Sequence, residues 1–373
     1  MPDALSRPTA APLRVLHLAA GRDWRGGERQ LLLLAEGQRA MGLEPLVAAG
    51  RASALLRRAR HAGLAAAAVT MRGTWDVAAA RRLRRLLRTW RPDVVHAHDA
   101  RAHAVALIAL VGSDVPLVVT RRTAAAVPVG ARLRYGARVT RFLVPTAAAR
   151  MAVVRAGVAS ARVDVVPPGV PRPDPSARRD WRAERAWPDD ALIVGMLGLT
   201  GERGTALAAA VTAALVGRLG PDAPRLRLVR FGGPGADAQT VAGVPCVRAG
   251  LVDDLGAALA GLDLLLHVPT HDLVGMASLE AMALGVPVVA VPTGGLEELV
   301  RDGEGALLVR PAPGASWPEA LAAAAAPLLA APERRAALGA AARRAMAALP
   351  PERFVAASTT AYGAAGRATV RRP

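Results

Sequence analysis

The sequence has no lysine, one cysteine and few aromatic residues, and each shortage narrows its possible functions. All 48 basic residues of the 373-residue chain are therefore arginines, against 30 Asp and Glu. The single Cys246 excludes an internal disulfide and fits a reducing compartment. Three Phe and two Tyr offer little surface for stacking bases, and no nucleic-acid recognition motif is present. No specific nucleic-acid partner is expected.

Long hydrophobic runs are also missing. The longest uncharged apolar stretches, such as residues 281–296, are shorter than the roughly 18 residues of a membrane-spanning helix. Near the N-terminus only residues 15–20 are continuously apolar, and Arg14 and Asp23 flank them, which does not fit a signal peptide. A cytoplasmic location is expected.

Positive charge is concentrated in the first half of the chain. Residues 1–170 contain 27 Arg against 10 acids, whereas residues 171–373 contain 21 Arg against 20 acids. Within residues 81–91 leucines and arginines alternate at helical spacing. One interpretation is a helix packed by its leucines with its arginines in water. The other adds contact of this face with anionic lipid, on the inner face of the cell membrane.

Short apolar runs of strand length alternate with helix-length segments along the whole chain. Because these runs are continuous rather than alternating, they predict parallel sheets covered on both faces. A segment rich in proline and charge, residues 167–190, interrupts the pattern, which then restarts. We predict two doubly wound α/β domains, residues 1–170 and 171–350, followed by a C-terminal helix and tail, 351–373, that pack back on the first domain. Ligands of such sheets bind outside the carboxyl ends of the strands, so the useful cleft should lie between the domains.

Two segments of the first domain carry candidate site residues. Gly26 and Gly27 directly precede a helix, where free backbone N–H groups favour an anion, although a tight strand-to-helix turn explains them equally well. In "DVVHAHD" His96 and His98 lie on one face of a strand, with Asp99 beside them. A metal site is one interpretation, but no further Cys or His cluster supports it, and we expect none.

The second domain carries the stronger signal, two carboxylates in the apolar segment "HDLVGMASLEAMALGVPVVAV". Asp272 lies after a strand, Gly275 makes a turn, and Glu280 lies about one turn into the next helix. A buried carboxylate needs a partner or a polar ligand, so both are candidates for the cleft. Arg203, in "GLTGERGTAL", lies near a helix start, where an arginine suits a phosphate; a solvated surface arginine is as good an interpretation.

In combination these segments resemble the retaining family-4 glycosyltransferases of the GT-B fold, also called glycosyl transferases group 1. The strongest part is the E-x7-E-like region from Asp272 to Glu280 with its following glycine pair. Supporting parts are the "GGE" loop, "DVVHAHD", "VVPPGV" and "GERG". The resemblance covers most of the chain and implies two Rossmann-like domains that face an interdomain cleft.

The resemblance also implies site residues and substrates. The donor is a nucleotide sugar of unknown base, bound mainly by the second domain, and no cofactor is required. Catalytic candidates are Asp272 on the sugar hydroxyls, Glu280 on the ribose, Arg203 on the diphosphate, and His98 and Arg122. Donor-binding candidates are Gly26, Gly27, Arg203, Leu251, Gly275, Met276, Ala277 and Glu280. No metal-ligating residues are predicted. The sequence contains no D-x-D triplet, which agrees with a metal-free mechanism.

The sequence departs from the family pattern at four positions. Asp272 stands for Glu, Arg203 for Lys, Leu199 for a basic residue, and Arg122 for the histidine of a T-x-H context.

From the resemblance we predict transfer of a sugar to a glycan or glycolipid acceptor of the cell envelope, as in lipopolysaccharide biosynthesis, with retention. The alternatives are a binding protein of the same fold with impaired catalysis and a sugar-nucleotide epimerase.

Overall fold

The computed structural model describes residues 12–370 except 124, 126–135, 137, 173, 175, 200, 234 and 269–273. Two α/β units, each built on a seven-stranded sheet, follow one another in the chain. The predicted fold class, two Rossmann-like domains facing a cleft, is confirmed.

The first sheet has the strand order β3-β2-β1-β4-β5-β6-β7, and its pairs are parallel. Its strands are Arg14–Ala19 (β1), Glu44–Ala49 (β2), Ala65–Ala68 (β3), Val94–Ala97 (β4), Leu117–Thr120 (β5), Val139–Val144 (β6) and Val163–Val165 (β7). Its helices are Gly26–Ala40 (α1), Ala54–His61 (α2), Val77–Trp90 (α3), Ala100–Ala109 (α4) and Ala147–Arg155 (α5). The strand order reverses between β1 and β4, which places a ligand crevice at their carboxyl ends.

Short polar side chains define where four of these helices begin. Ser53, Asp76, Asp99 and Thr146 each accept hydrogen bonds from backbone N–H groups in the first turn of α2, α3, α4 and α5. Such caps satisfy donors that the helix itself leaves unpaired. The cap at Asp99 also fixes the short connection from β4, which ends at Ala97, to α4 at the carboxyl end of the sheet.

The second sheet has the order β10-β11-β9-β8-β12-β13-β14. Its strands are Leu192–Leu197 (β8), Leu226–Phe231 (β9), Ala236–Val241 (β10), Val244–Gly250 (β11), Leu264–His267 (β12), Val288–Ala290 (β13) and Ala306–Leu308 (β14). Helices in and before it are Trp181–Arg185 (α6), Gly201–Leu219 (α7), Leu255–Ala260 (α8), Met276–Leu284 (α9) and Gly294–Glu297 (α10). The order reverses between β8 and β12, again marking a crevice.

One strand pair is antiparallel, which the continuous apolar runs did not predict. Strands β10 and β11 form a hairpin across Ala242 and Gly243, both with positive φ (48° and 80°). Two successive positive-φ residues are the geometry of a two-residue hairpin turn. The sequence signal is weak because Ala242 stands where Asn or Asp usually marks such a turn.

Three helices complete the chain: Trp317–Ala330 (α11), Pro332–Met346 (α12) and Pro351–Val370 (α13). Helix α13 returns to the first sheet, where Tyr362 packs with Val15, Val94 and Val118. It also crosses α1 closely, since a Cβ added at Gly37 would lie 2.5 Å from the Val355 side chain. The last helix therefore forms part of the packing of the first domain.

One segment, Gly201–Arg225, is long and apolar enough to cross a membrane by length and composition. Ala208, Val211 and Leu215 of α7 are fully buried in a core cluster with the second sheet. One face of α7 is therefore packed in the core of the second domain.

Candidate functional site

A cavity of about 500 Å³ lies between the carboxyl ends of the two sheets. Its wall is formed by Trp24, Arg25, Gly26, Gly27, Glu28, Arg29, Gln30, His98, Thr120, Arg122, Leu143, Pro145, Val166, Pro168, Leu197, Gly198, Phe231, Gly232, Gly250, Leu251, Val252, Leu255, His267, Val274, Gly275, Met276, Ala277 and Phe354. The volume and the mostly apolar wall with a few polar groups are typical of a small-molecule site.

Two helix N-termini meet at the wall of this cavity. Helix α1 begins at Gly26, and α9 begins at Met276; a Cβ added at Gly26 would lie 3.1 Å from the Met276 side chain. Free N–H groups at helix starts, together with the macrodipole, favour anions. The absence of a side chain at Gly26 lets the two domains approach, and the cavity receives positive potential from both.

The start of α9 is fixed by a left-handed glycine and a buried histidine. Gly275 has φ +71°, and a Cβ there would lie 2.7 Å from Cε1 of His267. His267 Nδ1 lies 2.7 Å from Ser278 Oγ. Burial lowers the pKa of His267 to about 4, so the ring is neutral at pH 7. His267 was not among the predicted site residues. Its only signal in the sequence is that it is a polar residue at the end of the apolar strand β12.

Glu280 is paired with an arginine of the other domain. Arg29 Nη2 donates to Glu280 Oε1 across 2.6 Å, and the two side chains are only 16% and 11% exposed. Desolvation raises the pKa of Glu280, and the Arg29 guanidinium opposes this shift. Arg29 lines the cavity whereas Glu280 does not, so Arg29 covers the carboxylate in this structure. Arg29 was not among the predicted site residues.

A chain of hydrogen bonds joins three buried histidines to the last helix. His98 Nε2 lies 3.0 Å from His17 Nδ1, and His17 Nε2 lies 2.8 Å from Gln38 Oε1. Gln38 Nε2 donates to the Tyr362 hydroxyl at 3.1 Å, which lies 2.7 Å from His96 Nδ1. His96 Nε2 in turn lies 2.7 Å from Thr120 Oγ1.

Arg122 determines which atom is the donor in each hydrogen bond of this histidine chain. Its Nη2 lies 3.2 Å from His98 Nδ1, and a guanidinium can only donate. His98 therefore carries its proton on Nε2 and donates to His17, which donates to Gln38; the hydroxyl of Tyr362 then donates to His96. Burial lowers the pKa of His17 to about 4 and lowers those of His96 and His98 well below the usual value, so all three rings are neutral.

The metal interpretation of "DVVHAHD" does not fit this geometry. Asp99 is not part of the cluster, since its carboxylate accepts hydrogen bonds from the N–H groups of Ala20, Arg101 and Ala102. Ligand atoms of His17, His96 and His98 do lie within 4.8 Å of one another. Each of these six ring nitrogens already has a protein partner. The arrangement fits a hydrogen-bonded core.

Comparisons with known proteins agree with this architecture. Residues 24–172 match the model of Glycosyltransferase Family 4, and residues 189–331 match that of Glycosyl transferases group 1. The chain carries a family 4 domain followed by a group 1 domain of glycosyltransferases. These matches confirm the two predicted glycosyltransferase domains, while the retaining stereochemistry stays a prediction.

Curated relatives are identical to this chain at about a third of the positions within the segments that align. The D-inositol 3-phosphate glycosyltransferase of Stackebrandtia nassauensis is 34% identical over 179 residues, 43% of this chain and 40% of the relative. The protein of the same name from Acidothermus cellulolyticus is 33% identical over 255 residues, 58% of this chain and 56% of the relative. The chain thus spans about half the length of the curated relatives it matches.

A solved structure shares the fold over nearly its full length. Anabaena HepE in complex with UDP and glucose has a TM-score of 0.74 at 17% identity, covering 93% of this chain and 98% of that one. At this identity the likeness shows the GT-B architecture alone.

Most predicted site residues lie on the cavity wall, namely Gly26, Gly27, His98, Arg122, Leu251, Gly275, Met276 and Ala277. Asp272 lies outside the described residues. Arg203 is exposed in the first turn of α7 and is not on the wall. Gly204 packs on the Leu199 backbone, and successive helix residues are about 100° apart, so Arg203 points away from that contact.

The loop before α7 is contacted by a different cation, Arg230 of strand β9. Leu199, where the family has a basic residue, is buried in the core. Arg230 Nη2 donates to the Leu199 carbonyl at 2.7 Å and to Thr205 Oγ1 at 3.1 Å. Arg230 thereby holds the loop from β9, a role that sequence reasoning missed because arginines are common along the chain.

Proposed function

We propose that the protein is a glycosyltransferase that moves a sugar from a nucleotide-diphosphate-sugar donor to a hydroxyl acceptor. The observation that carries the proposal is the cavity between the two sheets, where the starts of α1 and α9 meet on the wall. Both helix starts suit the diphosphate, and the two domain families assign the fold to sugar transfer.

The chemistry requires charge stabilisation more than proton transfer. Negative charge grows on the diphosphate as the bond to the sugar breaks, so prearranged N–H donors at Met276 and Ala277 lower the barrier. Glu280 would accept hydrogen bonds from the ribose once Arg29 moves aside. We place the donor mainly on the second domain and the acceptor mainly on the first, with no metal and with retention of configuration.

A binding panel tests the donor site. The protein is heated with UDP-, GDP- and ADP-sugars at millimolar concentration, as wild type, Glu280→Ala and Glu297→Ala. Glu297 is the matched control, because it is also ion-paired, with Arg310 at 2.8 Å, but Arg310 does not line the cavity, whereas Arg29, the partner of Glu280, does. We expect stabilisation by one nucleotide class, lost in Glu280→Ala only. No stabilisation by any nucleotide sugar would contradict the proposal and favour a protein that has lost the donor site.

For the acceptor, the names of the relatives favour a small phosphorylated polyol. A glycan or glycolipid of the cell envelope is the second candidate, and it is supported by the basic face of α3. There Leu83 and Leu87 are buried, while the arginines at positions 81, 82, 84, 85 and 88 are exposed. Trp75, just before the helix, is 80% exposed. Such a face suits anionic lipid headgroups, with the protein in the cytoplasm at the membrane.

Vesicle binding separates the two acceptor classes. We expect sedimentation with vesicles of phosphatidylglycerol in low salt, and reduced sedimentation after Arg81, Arg85 and Arg88 are changed to Gln. The control changes three exposed arginines of the other domain, Arg178, Arg301 and Arg334. Equal binding to anionic and neutral vesicles would remove the electrostatic membrane proposal and leave the soluble polyol.

Product analysis separates the remaining alternatives. A changed sugar nucleotide formed without an acceptor would indicate an epimerase, and binding without any turnover would indicate a binding protein. For a transferase, the anomeric configuration of the product by NMR decides retention, and activity in excess chelator decides metal independence.

A further inference from the structure

Arg122 is a cation of the cavity wall whose protein partners are all neutral. Its Nη1 donates to the His98 carbonyl at 2.6 Å, and its Nη2 donates to the Gly27 carbonyl and to His98 Nδ1, both at 3.2 Å. Within the described part of the chain, no carboxylate lies within 4.0 Å of this guanidinium. By contrast, the poorly exposed Arg29 and Arg182 each have a carboxylate partner at 2.6 Å.

The two nearest acids are engaged elsewhere. Asp99 accepts three backbone N–H groups at the starts of α4 and the loop after β1. Glu28 accepts the N–H of Arg25, and burial raises its pKa. Both act on Arg122 only through space, and desolvation lowers the pKa of the guanidinium. A partly desolvated charge without a contacting counter-charge is unfavourable until an anion arrives.

The surroundings of Arg122 leave room for such an anion. A guanidinium has five N–H groups, and three are used by the protein, so two remain. A Cβ added at Gly27 would lie 3.3 Å from Arg122 Nη1, so the glycine keeps this side open. Gly26 and Gly27 also line the cavity at the start of α1, where helix geometry leaves backbone N–H groups unpaired. A tetrahedral oxyanion has enough oxygens to meet both sets of donors.

We propose that Arg122 and the first N–H groups of α1 bind a phosphoryl group of one of the two substrates. This inference names the substrate chemistry of the site and rests on the proposed transferase function. The histidine chain behind Arg122 holds His98, and through it the guanidinium, in one orientation. A fixed orientation lets the N–H group that remains on Nη1 donate to a phosphoryl oxygen. The phosphoryl group can belong to the donor diphosphate or to a phosphorylated acceptor.

Inorganic phosphate and pyrophosphate are the probes. Their affinity is measured by thermal stabilisation and calorimetry for wild type, Arg122→Gln, Arg122→Lys and Arg121→Gln. Arg121 is the control, since it is the neighbouring arginine and does not line the cavity. We expect Arg122→Gln to weaken binding roughly 10-fold to 100-fold, Arg122→Lys to weaken it less, and Arg121→Gln to leave it unchanged. A merely structural Arg122 would lower stability equally with and without phosphate.

A second arm identifies the source. Phosphate that still binds to protein saturated with UDP occupies an acceptor subsite. Phosphate that UDP displaces occupies the diphosphate subsite. Either result supports the proposal if Arg122→Gln weakens the binding of phosphate. Equal phosphate affinity in wild type, Arg122→Gln and Arg122→Lys would overturn it. If nucleotide-sugar stabilisation then persists and is lost in Glu280→Ala, the proposed function survives and only the role of Arg122 is wrong.

Discussion

Replacing Arg29 with methionine should destabilise the protein in a pH-dependent way. Methionine keeps much of the volume but leaves the Glu280 carboxylate, 11% exposed, without its partner. Breaking such a buried pair costs about 3 kcal/mol at the low end. With about 2.1 cal/mol/K of unfolding entropy per residue over 373 residues, this lowers Tm by about 4 °C. The loss should be greatest where Glu280 is ionised.

The pH dependence follows from the pKa of Glu280. Desolvation already raises this pKa, and Arg29 is the group that opposes the rise, so Arg29→Met raises it further. At pH 8 the unpaired carboxylate is charged and the variant is less stable than wild type. As pH falls through the raised pKa the carboxyl is neutralised, and the difference in stability should disappear.

Calorimetric Tm values of wild type, Arg29→Met, Glu280→Gln and the double variant from pH 5 to pH 8 provide the test. The double variant should be more stable than the sum of the two single losses indicates, because neither charge is then left alone. Equal loss at pH 5 and pH 8, together with additive single effects, would refute a buried ion pair between the domains.

Three further predictions concern the cavity wall and its support. Gly275→Ala should cost more than Gly303→Ala, since both have positive φ but only the Gly275 Cβ meets an atom, Cε1 of His267; equal Tm losses would argue against this packing. Tyr362→Phe should cost about 1 to 3 kcal/mol in denaturant unfolding, because two buried partners lose the hydroxyl; an unchanged midpoint would contradict the hydrogen-bond chain. Stability should fall as pH drops from about 6.5 towards 4, because unfolded chains take up protons that the buried His17, His96, His98 and His267 do not accept in the folded state, and His17→Gln should make that part of the profile shallower.

Periodicity alone predicts much of the fold. The boundaries of α3, Val77–Trp90, and of strands β5, β8 and β9 agree with the sequence pattern, because buried parallel strands need continuous apolar runs. Helix α2 gives a weak sequence signal because arginines interrupt its short apolar stripe. Strand β10 also gives a weak signal, because its residues, Ala236–Val241, are partly polar and lie at the sheet edge.

The cavity wall could be predicted in part. Gly26, Gly27 and Gly275 were identifiable because close approach and positive φ both restrict a position to glycine. Arg29, Gln38 and Tyr362 could not be found in this way. Their roles depend on contacts between residues up to 324 positions apart in the chain, and single polar residues in amphipathic helices give no local signal.

The central claim, sugar transfer from a nucleotide donor in this cavity, is tested most directly by acceptor-dependent turnover. Purified protein is incubated with the nucleotide sugar that stabilises it and with inositol phosphate or lipid-linked glycan as acceptor, and released nucleoside diphosphate and glycosylated product are quantified together. The account predicts equal amounts of both, with an acceptor requirement and with loss of turnover in Glu280→Ala but not in Glu297→Ala. Equal turnover in wild type and Glu280→Ala would contradict it.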